Sequence, residues 1–129
     1  MTAAGRATDG LSGWARLNRA TNVGVTALIW AFRNEEAFRL EVLGAVVLVP
    51  LGIWLGHGGA EKALLALAVI QVMIVELLNT GIEVVVDRIS VERHALSGLA
   101  KDLGSAAVMV SLFLATVVWA AILLPRFFG

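Results

Sequence analysis

The run from Leu103 to Pro125 contains no Asp, Glu, Lys or Arg. A helix crossing a bilayer needs about 20 mostly apolar residues, and this run supplies them. Two further apolar segments precede it. Val42–Ala60 (VLGAVVLVPLGIWLGHGGA) is also free of those four residues, with Pro50 and several glycines weakening its far end. Ala63–Val75 is equally uncharged, and its apolar character continues to Val86 through a stretch interrupted by acids. The whole chain is 59% hydrophobic, with a mean hydropathy of +0.87, well above an ordinary soluble domain. The expectation is an all-α membrane protein of one domain, residues 1–129. It has an N-terminal amphipathic helix over about 11–33 and transmembrane helices over about 36–58, 62–88 and 98–125.

Charge placement sets the orientation. Arg6, Arg16, Arg19, Arg33 and Arg39 precede the first span, and Arg88, Arg93 and Lys101 lie between the second and third. Eight of the ten Lys/Arg thus fall on one side, which reads as cytoplasmic. The N-terminus is expected inside and the C-terminal PRFFG outside. The opening MTAAGRATDG lacks the apolar core of a leader, so insertion is expected to use the helices themselves. Leu11, Trp14, Leu17, Thr21, Val25, Leu28 and Phe32 recur at steps of three and four, with Arg16, Arg19 and Asn22 off the stripe. That pattern suits a helix lying in the membrane interface, anchored by Trp14 and Trp30. Net charge is zero and there is no cysteine. A nucleic-acid footprint, a disulfide framework and a thiolate metal site are therefore excluded.

The second span raises the functional question. Its end reads VELLNTGIEVVVDR, residues 75–88. At 100° per residue, Glu76, Asn79, Glu83 and Asp87 share one helix face. Such a stripe faces protein, water or a ligand, because lipid cannot solvate it. Asn79 alone would serve as an interhelical hydrogen bond, and Asp87 beside Arg88 could simply mark the membrane boundary. Two glutamates are a poor structural device, since each costs several kcal/mol to bury as an ion. Ion transport, Mg²⁺ binding and general-base catalysis all use buried carboxylates. These acids gather toward the charged end of the span, which favours chemistry with a cytosolic reagent.

Other ionisable residues fall on the same side. NEEAFRLE (34–41) carries Glu35, Glu36, Arg39 and Glu41; taken alone it is a solvated helix entry with a Glu35–Arg39 pair. HALSGLAKD (94–102) reads as a loop and helix start, with His94 on the surface and Asp102 near the positive end of the helix dipole. Acids can hold Mg²⁺ and cations can hold phosphate. Standard phosphate motifs are absent: GHGGAEKA, from Gly56, lacks the Ser/Thr and the second Gly of a P-loop and lies on the outer side.

NEEAFRLE, VMIVELLNTGIEVVVDRI (72–89) and HxLSGxAKDxGSAAV (94–108) together resemble the small prokaryotic integral-membrane diacylglycerol kinases, over nearly the whole chain from about residue 14. The resemblance implies MgATP-dependent phosphorylation of diacylglycerol to phosphatidic acid. It implies a homotrimer in the bacterial inner membrane, with sites shared between subunits. It assigns Glu83 and Glu35 to Mg²⁺ and the ATP phosphates, Glu76 to the general base, and Asn79 to a catalytic place between them, with Asp87 in support. Arg16, Glu92, Arg93, His94, Lys101 and Asp102 match nucleotide-binding positions. Glu41 and Ser105, with Glu76, match the lipid side. Glu76 lies two turns from Glu83, about 10 Å along the axis, where a lipid hydroxyl could arrive. Val23 and Arg93 stand where the family often has an aromatic, and Leu40 where it has a polar residue. Undecaprenol kinase is the alternative within this fold. A small oligomeric proton or cation transporter, or a purely structural bundle, would be the alternatives from other classes.

Overall fold

The computed structural model describes residues 12–89, 92 and 94–129. Four helices form, and there is no strand among the described residues: α1 (Gly13–Asn34), α2 (Glu36–Leu55), α3 (Gly58–Ile89) and α4 (Ala95–Phe128). The chain makes two compact units, Met1–Glu36 and Ala37–Gly129.

In the first unit, Ser12 caps α1 by accepting from the Ala15 amide at 3.2 Å, which satisfies one orphan donor of the first turn. Arg33 sits in the last turn, where a cation complements the helix dipole. Glu35 then adopts an extended conformation (φ −114°, ψ 109°), and its amide bonds the Ala31 carbonyl at 2.8 Å. One non-helical residue thus separates α1 from α2. Leu11, the first residue of the expected stripe, lies outside the described residues.

In the second unit, α2, α3 and α4 are each long and apolar enough to cross a membrane. The 20 residues of α2 span about 30 Å, the hydrocarbon thickness of a bilayer. Pro50 does not end α2, which continues to Leu55. A proline is tolerated in a membrane helix because neighbouring groups can satisfy the backbone carbonyl it leaves free. The helix stops three residues short of the expected end. There Gly56 packs on Lys62, and Gly58 takes φ +81°, a left-handed conformation that a residue with a Cβ rarely adopts. The reversal at 56–57 therefore needs fewer residues than expected, and α3 begins at Gly58 instead of Lys62.

The helices α3 (32 residues) and α4 (34 residues) run to about 48 and 51 Å, well past the hydrocarbon. They pack against each other along their lengths. Polar contacts fix their antiparallel register. The Trp119 indole N–H donates to the Leu65 carbonyl at 3.1 Å, and Gln71 Nε2 donates to the Ser111 carbonyl at 2.8 Å. Lys101 Nζ meets Asp87 Oδ1 at 2.7 Å. At the Gly58 end, Arg126 donates to the Leu55 carbonyl and pairs with Glu61, tying α4 to the α2–α3 reversal. Leu65 is fully buried and lies against Gly52 of α2 and Trp119 of α4, so it is the point where three helices meet. The remaining faces are apolar and open: Val46, Trp54, Leu67, Met109 and Phe113 are all exposed. An apolar surface of this extent suits lipid or another protein and does not suit water.

Candidate functional site

Burial falls steadily along the polar face of α3. Glu76 is 6% exposed, Asn79 and Thr80 are 7% exposed, Glu83 is half-buried, and Asp87 is exposed. The stripe read from the sequence therefore exists, and its deep half is enclosed within a single chain. Asn79 Nδ2 donates to Glu83 Oε1 at 3.4 Å, one turn apart on the same helix. A carboxylate only accepts, so this bond orients the carboxamide with its nitrogen toward Glu83 and its oxygen away.

Glu41 joins the site from α2. Its carboxylate interacts electrostatically with that of Glu76. Its Oε2 is buried, with no hydrogen-bond partner among the described residues. Two neighbouring carboxyl groups repel when both are charged. Glu41 also borders a cleft of about 210 Å³ whose other walls include Ala45, Val69, Val72, Leu112 and Ala115. One polar group at the edge of an apolar groove is the arrangement expected for a ligand with a polar head and an apolar body.

Helix α4 supplies Lys101 and Gly104. Lys101 pairs with Asp87 across the two helices, and the Glu83 carboxylate also acts on its charge. Its sequence neighbour Asp102 is exposed. Asp87 is thus more than a boundary residue: it holds the one cation that α4 brings to the acidic face among the described residues. Asn79 Oδ1 lies against Gly104, filling the space a Cβ there would need.

The other expected site residues are distributed along the rest of the chain. Glu35, half-buried between α1 and α2, and Arg16, on α1, belong to the first unit. His94 caps α4, its Nδ1 accepting from the Leu96 amide at 3.1 Å. Because α4 starts at Ala95, Asp102 lies two turns inside it and not at its dipole end as expected. Glu92 and Ser105 are exposed, as are Val23 and Leu40. Arg93 lies outside the described residues. No group of three or more His, Asp or Glu that could hold a metal forms among the described residues. Thr80, Gln71, Ser111 and Gly104 were not singled out from the sequence. Gly104 alone carried a signal, since a glycine inside a long helix costs about 1 kcal/mol against alanine and often marks a close approach.

Three membrane-length helices and a row of acids buried at its deep end define a multi-pass membrane protein with a partly buried acidic face. The comparisons with known proteins narrow the class. Residues 22–123 match the family described as prokaryotic diacylglycerol kinase, so the chain belongs to that family. A diacylglycerol kinase of Pseudomonas aeruginosa is 48% identical over 115 residues, covering 89% of this chain and 94% of its own. Diacylglycerol kinases of Haemophilus influenzae and Escherichia coli are 46% and 41% identical, covering 87% and 90% of this chain and 95% of their own lengths.

Proposed function

We propose that this chain transfers the γ-phosphoryl group of ATP to the free hydroxyl of diacylglycerol, giving phosphatidic acid and ADP. The observation that carries the reading is the deeply buried Glu76, one turn from the Asn79–Glu83 pair, in a chain of the diacylglycerol kinase family. Glu76 accepts the proton of the lipid hydroxyl as its oxygen attacks the γ-phosphorus in line with the leaving ADP oxygen. Its depth suits a group that meets a membrane-dissolved substrate. Glu41, at the edge of the apolar cleft, binds the lipid head beside Glu76, with Ser105 contributing from α4. Arg16, Glu92, Arg93, His94, Lys101 and Asp102 bind the nucleotide. Lys101 leaves Asp87 to meet a phosphate, and Asp87 keeps it poised until then.

Glu83 and Glu35 would hold Mg²⁺. Mg²⁺ usually takes one or two protein carboxylates together with substrate phosphates and water, so a pair of hard oxygen donors fits it without a larger cluster. When bound it supplies charge neutralisation at the transferring phosphoryl group. Glu83 is well suited, being half-buried and oriented by Asn79.

The working form is a homotrimer with shared sites, a single membrane-embedded kinase domain in the bacterial inner membrane. Half-exposed acids beside open apolar faces support an assembly in which a neighbouring subunit covers them. The excess of Lys/Arg before α2 and between α3 and α4 supports a cytoplasmic N-terminus and a periplasmic C-terminus. The helix α1 lies in the cytoplasmic interface through its exposed Trp14 and Leu17.

The test uses protein purified in mixed micelles, γ-labelled ATP, Mg²⁺, and either diacylglycerol or undecaprenol. Wild type should label diacylglycerol. Glu76→Gln should lose about 10²–10⁴-fold in kcat while ATP binding is kept, and Glu83→Gln should weaken MgATP binding. Label on undecaprenol alone would move the substrate to a polyprenol. No lipid label at all would overturn the kinase reading and favour proton or cation transport.

A further inference from the structure

Gly104 lies on α4, faces the polar seam, and belongs to none of the roles above. It is buried. A Cβ built on it would overlap Asn79 Oδ1, would lie 3.2 Å from Asn79 Cγ, and would be 3.8 Å from Asn79 Cβ. The three nearest atoms thus all belong to one side chain, that of Asn79. The other face of the same carboxamide is fixed by Glu83, which can only accept and so draws Nδ2 toward itself. Oδ1 is left on the α4 side, buried and without a donor among the described residues. A buried amide oxygen with no donor is unfavourable, so its place has to be imposed by the packing around it.

We propose that Gly104 is a positioning residue for phosphoryl transfer: by having no side chain it seats the Asn79 carboxamide so that Nδ2 holds the Glu83 carboxylate. The inference rests on the kinase reading for its effect on rate, and on geometry alone for its effect on Asn79. A methyl group at position 104 displaces only the end of a side chain, which can turn about χ1 and χ2. The helix contact survives and the Asn79–Glu83 bond does not. Gly52 shows the opposite case. A Cβ there would meet Leu65 Cβ at 2.9 Å and the Trp119 ring at 3.4 Å. An atom so close to the backbone cannot swing away, so a methyl at Gly52 damages the fold. A methyl at Gly104 damages the site.

The experiment compares wild type, Gly104→Ala, Asn79→Ala and the double variant, all purified in micelles. Gly104→Ala should unfold in detergent at the wild-type midpoint, yet lose about tenfold or more in kcat, as expected for a misplaced group. In the Asn79→Ala background the same change should cost less than about twofold, because the residue it acts through is gone. Equal losses in both backgrounds would overturn the proposal, since Gly104 would then act through helix packing. A second readout needs no activity. In protein labelled with ¹⁵N-asparagine, the Asn79 carboxamide pair is assigned by its absence from Asn79→Ala. It should shift in Gly104→Ala, and an unshifted pair would refute the positioning role. If wild type labels no lipid, the kinase reading fails and the carboxamide spectrum still decides whether Gly104 seats Asn79.

Discussion

Leu65→Ala tests whether the fold is held at the node where α2, α3 and α4 meet. In a soluble protein, truncating a buried leucine costs about 2–5 kcal/mol, combining lost transfer energy with a cavity. Lipid tails are as apolar as leucine, so the transfer part is nearly absent here and packing must supply the cost. The expected loss is therefore at the lower end, about 2 kcal/mol, or about a 30-fold fall in the folded-to-unfolded ratio. Leu65 is 0% exposed, whereas Leu67, two residues along the same helix, is 58% exposed. The same truncation at Leu67 leaves no protein cavity and should stay within about 0.5 kcal/mol. The assay is a sodium dodecyl sulfate titration in mixed micelles, followed by near-ultraviolet circular dichroism. Similar midpoint shifts for the two variants would refute the placement of Leu65 at a three-helix node, and so would a larger shift for Leu67→Ala.

Gly52→Ala should lower the unfolding midpoint, because overpacking against Leu65 and Trp119 costs about 1–3 kcal/mol and the gain in helix propensity is only about 1 kcal/mol. Arg126→Ala should speed amide exchange at His57, whose N–H bonds Glu61 at 3.0 Å, because Glu61 and the Leu55 carbonyl lose their shared cation. Lipid phosphorylation should be unchanged in that variant, since Glu83 lies 22 residues further along α3, about 33 Å away; a large loss would show that the two ends are coupled. Of variants that keep a single tryptophan, the one with Trp54, which is 78% exposed, should be quenched by brominated lipid chains. The one with Trp119, partly covered and bonded to Leu65, should be quenched much less.

Much of this protein is legible from one-dimensional pattern because a bilayer restricts the choices. With no water to satisfy the backbone, apolar runs of this length have to be helices. The three spans and the row Glu76, Asn79, Glu83, Asp87 follow from length and from 100° of turn per residue. The expense of placing a carboxylate at membrane depth marked Glu76 and Glu83 for function before any fold was known. What the one-dimensional pattern left open were the facts that depend on which helix faces which. Periodicity shows that Lys101 and Asp87 are polar; only the antiparallel pairing of α3 and α4 joins them at 2.7 Å. Nothing in the sequence pairs Gln71 with Ser111 or Arg126 with Glu61, because such partners lie some 40 and 65 residues apart and register is set by packing. The same holds for the graded burial of the seam and for the oxygen of Asn79 resting on Gly104. Composition and spacing made the chain a membrane protein with acids on one face, and the packing of α3 against α4, with Glu41 of α2 beside Glu76, buried the deep half of that face.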